Sequence, residues 1–283
     1  MYETDLNSDF LRLWQGRDPF EAAFELTGQS FRKVKSRHTF RVELEDRGYF
    51  VKLHRGCGWG EYFKNICQFK KPVTDAGQEY RALLHLKSIG VDTMTSCAYG
   101  CEGSNPAART SFLITEELTD TVSLEDYCRD WRTNPPPLAV KRALIRKLGE
   151  MTGKMHRSGL NHRDCYICHF LLRKGTEFST DPKLFVIDLH RAQIRRRVPK
   201  RYLLKDLGGL WFSAMDAGLT RHDLYCFLQA YFAKDLHEIF PGQSVFLGQV
   251  DRVAQKLYRK VHKKFPYVLP FSYPDGQSQQ FLW

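Results

Sequence analysis

The sequence predicts an α+β protein with two lobes, a small antiparallel-sheet N-lobe followed by a mainly helical C-lobe. Two observations support this prediction. Within residues 31–54, the alternating run T-F-R-V-E-L, the turn E-D-R-G and the run Y-F-V-K-L-H are typical of a β-hairpin. From Leu138 onward, apolar residues instead recur at helical spacing, and the three prolines at 135–137 separate the two patterns. The 283 residues suffice for one large or two modest domains.

The first element is predicted to be a helix near residue 20. Asp18 can cap it, Pro19 suits its first turn and Gly28 can end it. Phe20 and Phe24 would then lie on its buried side, with Trp14 close by. We therefore expect an N-terminal helical extension over residues 1–27, ahead of the sheet.

A second helix and a further strand complete the predicted N-lobe, which we place at residues 28–118. Residues 78–89 carry apolar side chains on one helical face, and Gly90 can terminate that helix. The run S-F-L-I-T-E-E-L at residues 111–118 has the composition of a short buried strand. The chain would pass to the second lobe, residues 119–283, near residues 115–120.

The clearest helix of the chain is predicted over residues 138–157. Val140, Leu144, Leu148, Met151 and Met155 recur at spacings of three or four residues, and a glycine at position 159 can end the helix. The run N-H-R-D-C-Y-I-C-H follows directly. Further along, L-G-G-L at residues 207–210 suggests a turn, and helical patterns extend from about residue 222 to residue 264.

Two aspartates after this helix indicate the chemistry. Asp164 lies in the H-R-D loop, and Asp188 ends the short apolar strand V-I-D. Phosphoryl transfer needs one carboxylate to orient the attacking hydroxyl and another to hold magnesium on the ATP phosphates. A His-Arg-Asp loop followed by a strand-terminal Asp is how protein-kinase-like folds supply both. Lys52 in the second hairpin strand and Glu79 in the next helix would then pair and hold the phosphates. Taken alone, Lys52 could be a solvated strand residue and Glu79 a helix-dipole partner.

The same loop permits a different interpretation. His162, Cys165, Cys168 and His169 are four potential zinc ligands within eight residues. Structural zinc sites usually separate two ligand pairs by a longer spacer, which this run lacks. A thioredoxin-like role for C-x-x-C would require the pair at a helix N-terminus, whereas here a long helix precedes it. Buried thiols beneath the loop are the alternative that we favour.

Two further motifs are less specific. The glycine-rich run at residues 55–60 matches neither G-x-G-x-x-G nor the Walker spacing, and it follows the Lys52 strand. The densest basic cluster contains Arg195, Arg196 and Arg197, just beyond Asp188. Such a cluster is commonly a solvated face. In a kinase-like fold, however, this segment borders the acceptor site, so we take these arginines as candidate substrate contacts.

Composition limits the partners. The net charge of +11 and the pI of about 9.3 favour anionic partners such as nucleic acid, an acidic membrane surface, an acidic protein or a polyanionic substrate. No apolar run approaches the roughly 18 residues that span a bilayer. Because the N-terminus is acidic and polar, we expect that it is not a secretory signal. The eight cysteines are therefore expected to be reduced thiols in a cytosol.

The stretches N-H-R-D-C-Y-I-C-H-F-L-L and V-I-D-L-H-R-A-Q resemble the bacterial lipopolysaccharide core heptose(I) kinase family, relatives of protein kinases. The resemblance implies transfer of the ATP γ-phosphate to a hydroxyl of the first heptose of the inner core. It also implies a cytoplasmic enzyme peripheral to the inner membrane of a Gram-negative bacterium, where the lipid-anchored acceptor is built. By motif match, Asp164 is the catalytic base. ATP and Mg²⁺ are the expected cofactors, with a nucleotide-binding N-lobe and a catalytic, acceptor-binding C-lobe.

The chain departs from the protein-kinase pattern at several positions. K-V-K-S-R-H at residues 33–38 stands where a glycine-rich phosphate loop would be, and Asp188 is followed by Leu-His instead of Phe-Gly. The metal-binding Asn expected five residues after the base is His169. Magnesium prefers oxygen ligands, so this second metal position is the weaker assignment.

Other functions remain open from the sequence. A kinase of the same fold could act on another small molecule or a protein, because fold does not determine the acceptor. A nucleic-acid-binding protein would suit the charge, but no recognised binding motif is present, so we expect no nucleic-acid partner. Lys52, Asp164 and Asp188 argue against an inactive pseudokinase. An acidic partner such as an acyl carrier protein would suit the charge as well as the anionic acceptor does.

Overall fold

The structure is a computed structural model that describes residues 2–34, 36–56, 58–60, 75–105 and 107–265. Two compact units divide the chain. The first comprises Met1–Thr119 together with Asp188–Ala192, and the second Asp120–Ile187 together with Gln193–Trp283. An antiparallel sheet dominates the first unit and helices dominate the second, which confirms the predicted α+β, protein-kinase-like class.

The first unit is built on a six-stranded antiparallel sheet. Its elements are β1 (Tyr2–Leu6), α1 (Ser8–Leu13), α2 (Pro19–Glu25), β2 (Gln29–Val34), β3 (Arg37–Leu44), β4 (Arg47–Arg55), α3 (Gly77–Ser88), β5 (Ser96–Glu102) and β6 (Thr110–Glu116). The strands lie in the order β1-β5-β6-β4-β3-β2. The predicted hairpin is β3–β4. Its two-residue loop, Glu45 and Asp46, has positive φ at both positions, the conformation that matches strand twist in tight hairpins.

The sequence predicted a helical N-terminal segment, but the structure contains a strand there as well as helices. β1 pairs with β5 and forms one edge of the sheet, and this strand was not predicted. Asp18 does cap α2, because its carboxylate accepts hydrogen bonds from the N–H groups of Phe20 and Glu21. Phe20 packs edge-on against the fully buried Phe112 of β6, with ring centroids 5.2 Å apart. α2 is thereby joined to the core of the sheet.

The second unit consists of long helices and short strand pairs. Its elements are β7 (Thr121–Ser123), α4 (Leu124–Tyr127), α5 (Leu138–Arg157), β8 (Leu160–Asn161), β9 (Phe170–Arg173), β10 (Leu184–Val186), β11 (Gln193–Ile194), α6 (Lys200–Ala214), α7 (Arg221–Phe232) and α8 (Leu236–His262). α5 has the predicted bounds. Apolar side chains of α6, α7 and α8 form the core of this unit, including Trp211, Leu228 and Leu247.

The prediction of a turn at residues 207–210 is wrong, because Gly208 and Gly209 lie inside α6. Their function is close packing. A Cβ atom on Gly208 would lie 2.5 Å from Val253 Cγ1, and one on Gly209 would lie 2.9 Å from the carbonyl oxygen of Cys165. Small residues here let α6 approach both α8 and the H-R-D loop, so the gain in packing outweighs the low helix propensity of glycine.

Candidate active site

The strand lysine and the helix glutamate form the predicted pair. Lys52 lies in β4 between Thr39 of β3 and Leu113 of β6, in the interior of the sheet. Its ammonium nitrogen is 2.6 Å from Oε1 of Glu79 in the first turn of α3. The Glu79 side chain is 2% exposed and that of Lys52 is 19% exposed. A carboxylate so deeply buried requires a cation, and the cation in turn is held in a defined position.

Asp188 belongs to the same unit, directly after the residues that leave β10. Its backbone is left-handed, with φ 60° and ψ 52°, which few residues other than glycine, asparagine and aspartate tolerate. Oδ1 lies 2.5 Å from Nδ1 of His190. The His190 carbonyl accepts a hydrogen bond of 3.3 Å from Gln78, the neighbour of Glu79 on α3. The turn that orients Asp188 is therefore joined to the helix that holds the ion pair.

Asp164 lies in the second unit, on the loop that follows α5 and β8. Its side chain is 17% exposed, and Oδ1 is 3.9 Å from the ammonium nitrogen of Lys205 on α6. The carbonyl oxygen of Asp164 lies 2.7 Å from Nδ1 of His169. Since a carbonyl can only accept, Nδ1 donates this hydrogen bond. His169 thus braces the backbone of the residue that we predict to be the base.

Asp206 holds this loop in place, and its role was not predicted from the sequence. Asp206 lies in α6 and is fully buried. Its carboxylate accepts hydrogen bonds from the backbone N–H groups of His162, at 2.6 Å, and Arg163, at 2.8 Å. His156 Nε2 lies 3.3 Å from the same carboxylate. The sequence contained one indication of this role, a lone carboxylate inside the apolar run of α6. A carboxylate buried there must have hydrogen-bonding partners.

The start of the loop is shaped by Gly159. Its φ is 90°, and a Cβ atom there would lie 1.8 Å from the carbonyl oxygen of Arg195. The Arg195 N–H donates to the Gly159 carbonyl, and β8 pairs with β11 next to this bond. Only glycine permits both the conformation and the approach.

The three candidate arginines differ in their surroundings. Arg195 donates from its guanidinium to Oδ1 of the fully buried Asn161, at 2.6 Å, and its guanidinium carbon lies 4.6 Å from the Tyr202 ring centroid. Arg196 and Arg197 are exposed. Arg195 therefore supports the loop that carries Asp164, and the expectation of acceptor contact rests mainly on the other two.

The zinc interpretation gains no support from the contacts of the loop. His162 Nε2 lies 2.9 Å from the Ile187 carbonyl, and His169 uses Nδ1 on the Asp164 carbonyl. Burial raises the pKa of the Cys165 thiol well above its ordinary value, which opposes the thiolate that a metal needs. Across the described ranges, the side chains close enough to share an ion are Asp235, His237 and Glu238 at the exposed start of α8.

Two sequence motifs are described only in part. Cys57 of the glycine-rich run and Lys35 of the run at residues 33–38 lie outside the described residues. Near them, burial lowers the pKa of His54 on β4 to about 4, assisted by the charge of Arg37, so this imidazole is neutral at pH 7.

In the part of the chain that the structure describes, no helix has the length and apolar composition to cross a membrane.

The fold and these groups define a protein-kinase-like phosphotransferase. Residues 21–231 match the model of the "Lipopolysaccharide kinase (Kdo/WaaP) family", and this chain belongs to that family. It is 52% identical over 256 residues to the lipopolysaccharide core heptose(I) kinase WaaP of Pseudomonas aeruginosa, covering 90% of this chain and 96% of that protein. A protein of the same name from Escherichia coli is 47% identical over 263 residues, covering 92% and 98%.

A solved structure is also similar. It is described as WaaP in complex with acyl carrier protein, and it matches this chain with a TM-score of 0.79 and 47% sequence identity. The match covers 90% of this chain and 99% of the solved one. The family is one of kinases, and membership therefore implies that ATP is the phosphoryl donor.

Proposed function

We propose that this protein transfers the γ-phosphate of ATP to a hydroxyl of the first heptose of the lipopolysaccharide inner core. The assignment of this acceptor is supported by sequence identity: the chain is 44–52% identical to three proteins named lipopolysaccharide core heptose(I) kinase, over 90–92% of its length. The assignment of phosphoryl transfer is supported by the Lys52–Glu79 ion pair and by two aspartates, Asp164 and Asp188.

Asp164 is the proposed base for the acceptor hydroxyl. In this proposal its carboxylate orients the attacking oxygen and accepts its proton as the new bond to the γ-phosphorus forms, while the bond from that phosphorus to the bridging oxygen breaks and ADP leaves. Lys205, 3.9 Å away, would hold a positive charge beside the reacting groups. A cation in that position offsets the negative charge that spreads over the transferring phosphoryl oxygens. The Asp206 hydrogen bonds keep the loop backbone in place during this step.

Lys52 binds phosphate oxygens of ATP while Glu79 holds its ammonium group in position. Asp188 is the residue that fits Mg²⁺. Its carboxylate is 37% exposed, and one oxygen is oriented by His190. When bound, Mg²⁺ would neutralise charge on the phosphates. His169 fits this ion less well, because Mg²⁺ prefers oxygen to imidazole nitrogen. We therefore assign His169 chiefly to the support of Asp164.

The acceptor is lipid-anchored, and we propose that the enzyme works in the cytoplasm at the inner-membrane surface. The charge of +11 supports attraction to anionic lipid and to acidic sugars. An acyl carrier protein is a further proposed partner, since the similar solved structure is a complex with one. The exposed Arg196 and Arg197 are the proposed contacts to the anionic acceptor.

The test is direct. The full chain is incubated with ATP, Mg²⁺ and dephosphorylated lipopolysaccharide core, and the new phosphate is located by mass spectrometry. Asp164→Asn should lower kcat by roughly 10²–10⁴-fold, the usual contribution of acid–base assistance, without loss of fold or ATP binding. The matched control is Asp181→Asn, which removes the same charge from an exposed position in the same unit.

Two results would contradict the proposal. A near-normal rate for Asp164→Asn would remove this residue from catalysis. Transfer to other hydroxyl compounds but not to the core would leave a kinase with a different acceptor.

A further inference from the structure

A cavity of about 600 Å³ opens in the helical unit beside the loop of Asp164. We call it the loop cavity. Loop residues 166–168 form part of its wall. The side chains that line it include Glu125, Arg129, Tyr166, Phe212, Asp216 and His262. Two residues of chain span at most about 7 Å, so the wall at Tyr166 begins within that distance of the Asp164 Cα atom. The loop cavity therefore borders the same loop that carries Asp164. The volume lies within the range of sites for small ligands.

One side of the loop cavity is aromatic. Tyr166 and Phe212 meet edge to face, with ring centroids 6.2 Å apart. The imidazole of His262 lies 5.9 Å from Phe212, at the C-terminal end of α8. Aromatic rings present flat apolar faces and keep few conformations, so they can bind the C–H face of a sugar ring at low entropic cost.

The polar side has a mixed charge. Both carboxylate oxygens of Asp216 lie 2.9 Å from the hydroxyl of Tyr258, which holds this acid in a fixed orientation. Glu125 and Arg129 come from α4 and the turn after it, and Arg129 pairs with Asp126. Two carboxylates and one guanidinium provide both acceptors and donors for hydroxyl groups.

We propose that the loop cavity binds a neutral, hydroxyl-rich sugar residue that is linked to the accepting heptose. The inference rests on the proposed function and specifies which part of the acceptor this wall recognises. Arg129 is already paired with Asp126, so Glu125 and Asp216 leave this wall with negative charge that would repel a phosphate or a sugar acid. An acyl chain would have to desolvate the same carboxylates without supplying hydrogen bonds. A neutral sugar meets neither penalty, because its hydroxyls donate to Asp216 and Glu125 while a ring face covers Phe212.

The experiment compares two acceptors with the full-length enzyme. One ends at the accepting heptose, and the other carries a neutral hexose attached to it. The measured quantity is the ratio of kcat/KM for the long acceptor to that for the short one. Glu125→Gln and Asp216→Asn each remove one charge-assisted hydrogen bond, so each should lower this ratio roughly tenfold. Asp216→Asn keeps an oxygen that can accept from Tyr258, which protects the fold.

The matched control is Asp130→Asn. Asp130 is exposed, follows Glu125 by five residues and does not line the loop cavity. It removes the same charge, and the ratio should stay at the wild-type value. A change confined to the two lining variants supports the inference, whereas an equal change in the control assigns the effect to net charge and overturns it.

Other results separate the competing explanations. An unchanged ratio in both lining variants, with transfer intact, overturns the inference and leaves the proposed function standing. Weaker binding of acylated acyl carrier protein with an unchanged ratio assigns the cavity to that partner and also overturns it. Absence of transfer to either acceptor by the wild-type enzyme refutes the proposed function, and the inference with it.

Discussion

Replacement of Asp206 by asparagine tests whether a buried carboxylate holds the catalytic loop. Asp206 is fully buried and receives the backbone N–H groups of His162 and Arg163 on its two oxygens. Asparagine keeps the shape but retains only one accepting oxygen. Its amide nitrogen must therefore face either the N–H of Arg163, at the Oδ1 position, or the N–H of His162 together with His156, whose Nε2 lies 3.3 Å from the Oδ2 position.

The magnitude follows from these contacts. A buried donor left without its partner costs about 1–3 kcal/mol, and the remaining bond loses its charge assistance. We therefore expect Asp206→Asn to lower the free energy of unfolding by roughly 3–5 kcal/mol. A loop displaced by about 1 Å can lower the rate about 10²-fold, so kcat should fall by that order even at temperatures where the protein is folded.

The assay is urea unfolding together with kcat on the lipopolysaccharide acceptor, at a temperature well below the melting point of the variant. Asp251→Asn is the matched control. Asp251 is a buried carboxylate of the same unit, bonded to Trp211, and burial raises its pKa. A neutral residue suits that site, so kcat should not change. If folded Asp206→Asn retains kcat within about twofold of wild type, the loop does not depend on this clamp.

Three further predictions concern the sheet unit and the exposed arginines. Lys52→Met should abolish ATP binding and lower Tm, because Glu79 would remain as an uncompensated buried charge at a cost of roughly 3–5 kcal/mol; an unchanged Tm would argue against the pair. His54, with its pKa lowered from 6.5 to about 4, stays neutral in the fold while the unfolded chain takes up a proton, so wild-type stability should fall by roughly 3 kcal/mol as pH drops from 6.5 to 4. His54→Gln should show a flatter profile in urea titrations over that range, and a parallel profile would contradict the assignment. Arg196 and Arg197 replaced together by serine should raise the acceptor KM and flatten its salt dependence, since exposed charges are screened over about 10 Å at 0.1 M salt; an acceptor KM and a salt dependence equal to those of the wild type would exclude them from the site. Arg195 is left intact in that variant, because it supports Asn161.

Local patterns in the sequence were enough for much of the fold and for the candidate residues. The β3–β4 hairpin follows from alternation and the turn E-D-R-G, and α5 from apolar spacing closed by Gly159. Lys52 and Glu79 could be paired before the structure because a strand-borne cation next to an acidic helix start is a recognised arrangement. These features depend on residues close together in the chain, or on a motif whose spacing is itself diagnostic.

Tertiary contacts decided what local patterns could not. β1 is a strand only because it pairs with β5, which lies far along the chain. α6 is helical through Gly208 and Gly209 because close packing against Val253 and the H-R-D loop outweighs their low helix propensity. The role of Asp206 depends on backbone N–H groups more than forty residues earlier, and that of Arg195 on Asn161. In each case the deciding energy is long-range burial or hydrogen bonding, which residue type and spacing do not encode by themselves.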